Sequence, residues 1–144
     1  QHGFMAKLFD TLNRHRIVID MIATSEVSVS MTTNTPRALL RGAAKELSEY
    51  AETTIEDEKA IVCVVGEGIR RDVTAPGMVF QALAEGGINV HMISQGATKI
   101  NIAFLVDNAD VEKTIRILHE RFFGNGAKHA TSDTGRKHAD SAAD

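Results

Sequence analysis

The chain has one cysteine in 144 residues, so no internal disulfide can staple it. That residue, Cys63, sits in Ala60-Ile61-Val62-Cys63-Val64-Val65, where a small buried hydrophobe is expected rather than a nucleophile. No apolar run approaches the roughly 18 residues of a membrane span, and the first residues lack the charged-then-apolar pattern of a signal peptide. Both absences point to a cytoplasmic protein with no membrane partner. An excess of one charge is missing too: 16 Lys and Arg against 19 Asp and Glu give a net charge of −3 with the signs mixed. Such a balance disfavours the clustered basic surface of a nucleic-acid binder.

The usual signatures of chemistry are likewise absent. The six histidines, His2, His15, His91, His119, His129 and His138, show no ligand spacing. His119-Glu120 falls on a predicted helix, but the position four residues on is Phe123, so the zinc-protease pair is not there and no metal is expected. No phosphate-binding Walker loop, nucleophile elbow or Ser/His/Asp set can be assembled. Gly66-Glu67-Gly68-Ile69-Arg70-Arg71 follows an apolar strand as a dinucleotide-binding loop would. Its third glycine position holds Arg71, however, and the strand ending at Val90-His91 offers no acid to a ribose. A simple turning connection is expected there. The chain reads as non-catalytic, with no catalytic residue and no cofactor of its own.

What is present is a repeat. Phe9, Leu12, Ile17 and Ile19 recur 71 residues later as Phe80, Leu83, Ile88 and Val90. By Val27 against Ile100 the offset is 73, and a turn at Gln95-Gly96 would absorb the two extra residues. The copies share an apolar pattern and differ in polar residues: Asp20, Ser25 and Glu26 in the first face His91, Thr98 and Lys99 in the second.

Helical spacing of Met5, Leu8, Phe9 and Leu12 predicts a helix over residues 3–14. Alternation at Ile17, Ile19 and Met21, then at Val27, Val29 and Met31, predicts two strands about a tight turn near Thr24. Thr35-Pro36 reads as a hydroxyl cap with proline at the first helical position, opening a helix that buries Leu40, Ala44, Leu47 and Ala51. Residues 53–58 form a polar strand candidate, and 60–65 a strand buried on both faces. A helix over 75–85 ends at Gly86-Gly87 in a left-handed cap. Strands at 88–94 and 99–106 follow, then a helix after Asn108 that buries Val111, Ile115, Leu118 and Phe122. From Gly124 to Asp144 no large apolar residue occurs, which predicts a disordered tail.

In order this is αββαβ followed by βαββα, six strands and four helices, where two complete βαββαβ units need eight strands. The first unit lacks its opening strand and the second its closing one. The start at Gln1, directly into an amphipathic segment, reads as a piece of a longer protein whose upstream part could supply both strands. Unpaired sheet edges are therefore expected.

Asp20, Ser25 and Glu26 form the best candidate constellation, placed by the pattern on neighbouring strands near the helix start at Gly3-Phe4-Met5. Free N–H groups at that helix end suit a carboxylate and the two acids suit an ammonium, which together describe an amino-acid site. The plainer alternative is that both acids are solvated or ion-paired strand ends.

Gly3-Phe4-Met5-Ala6-Lys7-Leu8-Phe9 and the run from Val18 to Ser30, with Thr24-Ser25-Glu26-Val27-Ser28-Val29 at its centre, resemble the regulatory region of monofunctional aspartokinases. Ile93-Ser94-Gln95-Gly96-Ala97 and Asn101-Ile102-Ala103-Phe104-Leu105-Val106 resemble its second half. The resemblance covers residues 3–123. It implies an α+β fold of tandem ferredoxin-like ACT domains, a first over 1–58 and a second over 59–123, with the tail at 124–144. It also implies an N-terminal kinase domain that uses ATP and Mg2+ to phosphorylate aspartate; the Lys-Phe-Gly-Gly-Thr-Ser motif of that domain is absent here. The implied partners are a feedback inhibitor, lysine before other aspartate-family amino acids, and a second subunit, since the inhibitor lies between first ACT domains of a homodimer. Gly3, Phe4, Met5, Ile19, Asp20, Ser25 and Glu26 are the effector-contacting positions by this resemblance. The stretch just before Gly3 also contributes in the family, and here it is Gln1-His2. A free-standing amino-acid sensor and a nucleotide-binding module using Arg70 and Arg71 are the alternatives.

Overall fold

The computed structural model describes residues 3–95 and 101–124. By contacts the chain forms two units, Gln1–Asp57 and Glu58–Asp144. The turn expected at Gln95-Gly96, Thr98, Lys99, His2, His129, His138 and the tail beyond Gly124 lie wholly or partly outside the described residues.

In the first unit, helix α1 (Phe4–Arg14), strands β1 (Met21–Thr24) and β2 (Val29–Thr32), and helix α2 (Arg37–Leu47) follow in order. Leu8, Leu12 and Ile17 are buried with Ala43 and Leu47, and Phe4, Ile19, Val29, Met31 and Leu40 pack against them. The helical stripe on α1 thus does what its spacing implied. The first strand is shorter than the alternation suggested. Ile17 and Ile19 turn inward, yet residues 17–20 pair with no full strand, because alternation records burial and not hydrogen bonding. Pairing runs antiparallel from Met21 opposite Thr32 to Thr24 opposite Val29. The turn lies beyond Thr24, closed by the Ser25 N–H donating to the Ser28 carbonyl at 2.8 Å. Val27, expected in the second strand, stands at its tip with 92% of its surface exposed.

Helix α2 also starts differently. Pro36 is its cap, not its first helical residue, and its carbonyl accepts the N–H groups of Leu39 and Leu40. The Thr35 hydroxyl caps nothing; it accepts a bond from the Thr33 hydroxyl at 2.9 Å. The buried face is Ala43 and Leu47, with Leu40 packed against the core, rather than Ala44 and Ala51. Residues 53–58 form no strand, so the described strands number five and not six.

The second unit comprises β3 (Lys59–Val65), a short helix α3 (Glu67–Arg71), α4 (Ala75–Glu85), β4 (Val90–Ser94), β5 (Asn101–Asp107), a 3-10 turn (Asn108–Asp110) and α5 (Val111–Phe123). Its antiparallel sheet has the order β3-β5-β4. Ile102, Phe104 and Val106 of the central strand point into a core that includes Val62, Val79, Leu83, Ile88 and Leu118. Among the described residues β3 pairs only with β5, and only Val62 on it is buried, so the expected burial of both faces is not seen there. Cys63 is accordingly only half-buried, and desolvation pushes its thiol pKa up, away from reactivity. On α5, Thr114 takes the buried place expected for Ile115.

The repeat is visible in backbone detail. Helices α1 and α4 begin and end 71 residues apart, and the buried residues Leu8, Thr11 and Leu12 match Val79, Ala82 and Leu83. Both end in the same stop: Ile17 N–H to Leu12 carbonyl at 3.0 Å in one, Ile88 N–H to Leu83 carbonyl at 2.9 Å in the other. The left-handed residue of that stop is Gly87 (φ +68) in the second copy and Arg16 (φ +56) in the first. Gly86, expected to share the left-handed cap, keeps φ −78. Strand β5 pairs with β3 on one side and β4 on the other, whereas its counterpart β2 pairs only with β1 among the described residues. Among the described residues the first unit has no strand before α1 or after α2, and the second has none after α5.

Candidate effector site and family

Gly3 opens α1 in a left-handed conformation (φ +82) and offers no side-chain cap. The first N–H groups of α1 therefore have no side chain of Gly3 to accept from them, as an anion site requires. Phe4 is partly buried against the core, and Met5 points outward. Ile19 packs beneath the hairpin, and the Asp20 N–H donates to the Thr32 carbonyl at 2.9 Å, which fixes the entry to β1.

The two acids are not brought together. Asp20 precedes β1 and Glu26 lies in the turn that follows it. At the ordinary rise of a strand this separates them by about 17 Å, which corrects the expectation of acids on neighbouring strands forming one pocket within a unit. Both are exposed, and neither carboxylate has a hydrogen-bond or ion-pair partner among the described residues. Ser25 is occupied by the turn: its hydroxyl accepts the N–H groups of Val27 at 3.3 Å and Ser28 at 3.1 Å and lies 2.8 Å from the Ser28 hydroxyl. Its first role is to shape the turn that presents Glu26.

In the second unit the described counterpart of Asp20 is engaged internally. His91, the counterpart of Asp20, has its Nε2 3.0 Å from the Asp107 carboxylate, which also accepts from Lys59 Nζ at 2.8 Å. The Lys59 ammonium, then His91, holds the Asp107 carboxyl below the usual carboxylate range.

A network that sequence reasoning missed lies at the other end of α1. Glu46 on α2 accepts both Arg14 Nη1 (3.1 Å) and Arg14 Nη2, lies 3.1 Å from His15 Nε2, and takes a long bond from the Thr11 hydroxyl. The Arg14 guanidinium, then His15, lowers the Glu46 pKa from 4.5 to about 2. A carboxyl depressed on folding stabilises the fold above its unfolded value and loses that contribution as pH falls. The urea midpoint should therefore drop as pH is lowered from 4.5 towards 2, and Glu46→Gln should flatten part of that drop. Parallel slopes for the two proteins would show the network contributes nothing.

Among the described residues no three His, Cys, Asp or Glu side chains converge as metal ligands, and no helix is long and apolar enough to cross a membrane. A shallow depression by Gly86, lined by Ala82, Glu85, Ile117, Glu120 and Arg121, contains none of the candidate residues.

A family model for the ACT domain matches residues 62–122, from β3 to α5. The regulatory domain at the C-terminus of an aspartate kinase from Porphyromonas gingivalis superposes with a TM-score of 0.72 at 32% identity, covering 84% of this chain and 81% of that one. The chain belongs to the aspartate kinase regulatory-domain family. The Saccharomyces cerevisiae aspartokinase is 38% identical over 83% of this regulatory domain and 24% of its own length. Escherichia coli aspartokinase III, solved in complex with lysine and aspartate in a T-state, is 35% identical with a TM-score of 0.71, covering 85% of this chain and 28% of that one. The regulatory domain thus spans about a quarter of the length of the full aspartokinases it matches. Its fold is the α+β, ferredoxin-like fold of ACT domains.

Proposed function

We propose that this regulatory domain senses an end-product amino acid, lysine first, and confers feedback inhibition on an aspartate kinase whose catalytic domain precedes it, with ATP and Mg2+ as that domain's requirements and the cytoplasm as its compartment. The observation that carries this reading is the contrast between the repeats: Asp20 and Glu26 are exposed and have no partner among the described residues, whereas His91, the counterpart of Asp20, is engaged by Asp107. Carboxylates without a partner suit an ammonium, and the uncapped start of α1 suits a carboxylate, which together suit an amino acid.

One small ligand cannot span about 17 Å within a unit, so the reading invokes a second copy. Strand β1 pairs with β2 on one side, and antiparallel alignment of β1 with its equivalent in a two-fold partner would bring Asp20 of one copy level with the turn of the other. An effector held there would be read as a change in how two subunits meet. It could shift the kinase only by its preference for the inhibited arrangement, a coupling typically of about 1–3 kcal/mol.

A thermal-shift series with the protein amino acids tests the proposal. Lysine, or another amino acid made from aspartate, should raise the melting temperature with dose, as ligands of the native state must. A flat response to all of them would count against it.

A further inference from the structure

The two repeats fasten their helix pairs with the same fittings turned round. In the first unit Arg14, the last residue of α1, grips Glu46 of α2; in the second, Glu85, the last residue of α4, takes a bond from Arg121 of α5. Glu85 lies 71 residues after Arg14, each is the last residue of its helix and each pairs with the second helix of its repeat, so the contacts correspond and the charges are exchanged. Size is exchanged at the neighbouring contact. A Cβ on Gly42 would lie 3.1 Å from the His15 ring, so a large residue after α1 lies over a small one on α2. In the second unit Gly86 corresponds to His15 and Ile117 to Gly42, and a Cβ on Gly86 would overlap the Ile117 side chain. Here the small residue follows α4 and the large one is on α5.

The core residues of the first helices are alike in the two repeats, since Leu8, Leu12 and Ile17 are matched by Val79, Leu83 and Ile88. A hybrid of α1 with α5 would oppose Arg14 to Arg121 and His15 to Ile117. The converse hybrid of α4 with α2 would oppose Glu85 to Glu46 and leave a gap between Gly86 and Gly42. We infer that this double reversal is a pairing code that keeps each helix pair within its own repeat and disfavours exchange of helices between repeats. Like charges and mismatched volumes penalise the wrong partner while the right one is satisfied. Duplicated domains are where such exchange is the characteristic folding failure.

Equalising the polarity tests it. The double variant Glu85→Arg with Arg121→Glu keeps an ion pair in each repeat but gives both the same orientation; Arg14→Glu with Glu46→Arg does so from the other side. The first should melt close to the parent, and the second, which also loses the contacts to Asp10 and His15, somewhat lower. After refolding from denaturant, each should give roughly threefold to tenfold more misassembled or helix-exchanged species by size exclusion and amide NMR, given the modest strength of exposed pairs. The quadruple variant, with polarity opposed again, should return to the parental fraction. Equal fractions in all four proteins, a rise in one double only, a quadruple as poor as the doubles, or loss of the native melt in both doubles would each overturn the inference.

Discussion

Asp20→Ala in a complete aspartate kinase carrying this regulatory domain should leave turnover unchanged and raise the lysine concentration for half-inhibition roughly tenfold to a hundredfold. The size follows from one charge-assisted hydrogen bond, about 1.5–3 kcal/mol. The direction follows from the site: Asp20 lies on the exposed entry to β1, is not among the core residues, and has no side-chain partner among the described residues whose loss would destabilise the fold. Its backbone bond to Thr32 survives the substitution. Turnover at zero lysine and the inhibition curve are measured in the same assay, so a folding defect, which lowers the first, is separable from lost recognition, which moves only the second. Unchanged inhibition would remove Asp20 from the site.

Phe104→Ala should cost the second unit about 3–5 kcal/mol, the usual penalty for emptying a phenylalanine site in a packed core. Phe104 has 0% of its surface exposed and lies on the central strand, opposite Val62 on one side and Ile93 on the other. Neither neighbouring strand can close the cavity without breaking its own ladder. Since a domain of this size is stable by about 5–15 kcal/mol, the loss should appear as a large fall in the denaturant midpoint. Val27→Ala, at the exposed tip of the first hairpin, is the matched control and should shift it by less than about 0.5 kcal/mol.

Elements with a strong apolar period were legible in the sequence. The stripe of α1, the extent of α4 and the alternation on β5 follow from which residues must leave water, and that property is local. What failed was whatever depended on a neighbour. Residues 60–65 are apolar enough for a central strand, but among the described residues they pair only with β5. Ile17 and Ile19 alternate like a strand and are buried like one, yet have no ladder. Thr35 has the chemistry of a cap and is taken by Thr33 instead.

The same holds for the candidate site. The separation of Asp20 from Glu26 was hidden because the turn falls at residues 25–28 rather than at Thr24. The Glu46 network left a signal that could have been read: Arg14-His15 ends one helix and Glu46 closes the exposed side of the next, in two helices that must pack together. Only the pairing of the helices turns those charges into a contact.

The most direct test of the account is calorimetric titration of lysine into this chain and into its Asp20→Ala and Glu26→Ala variants. A saturable heat for the parent that is lost in both variants is the expected result, since each acid holds the ligand from a different end of β1. Saturable binding that survives both substitutions, or no binding by the parent, would contradict it.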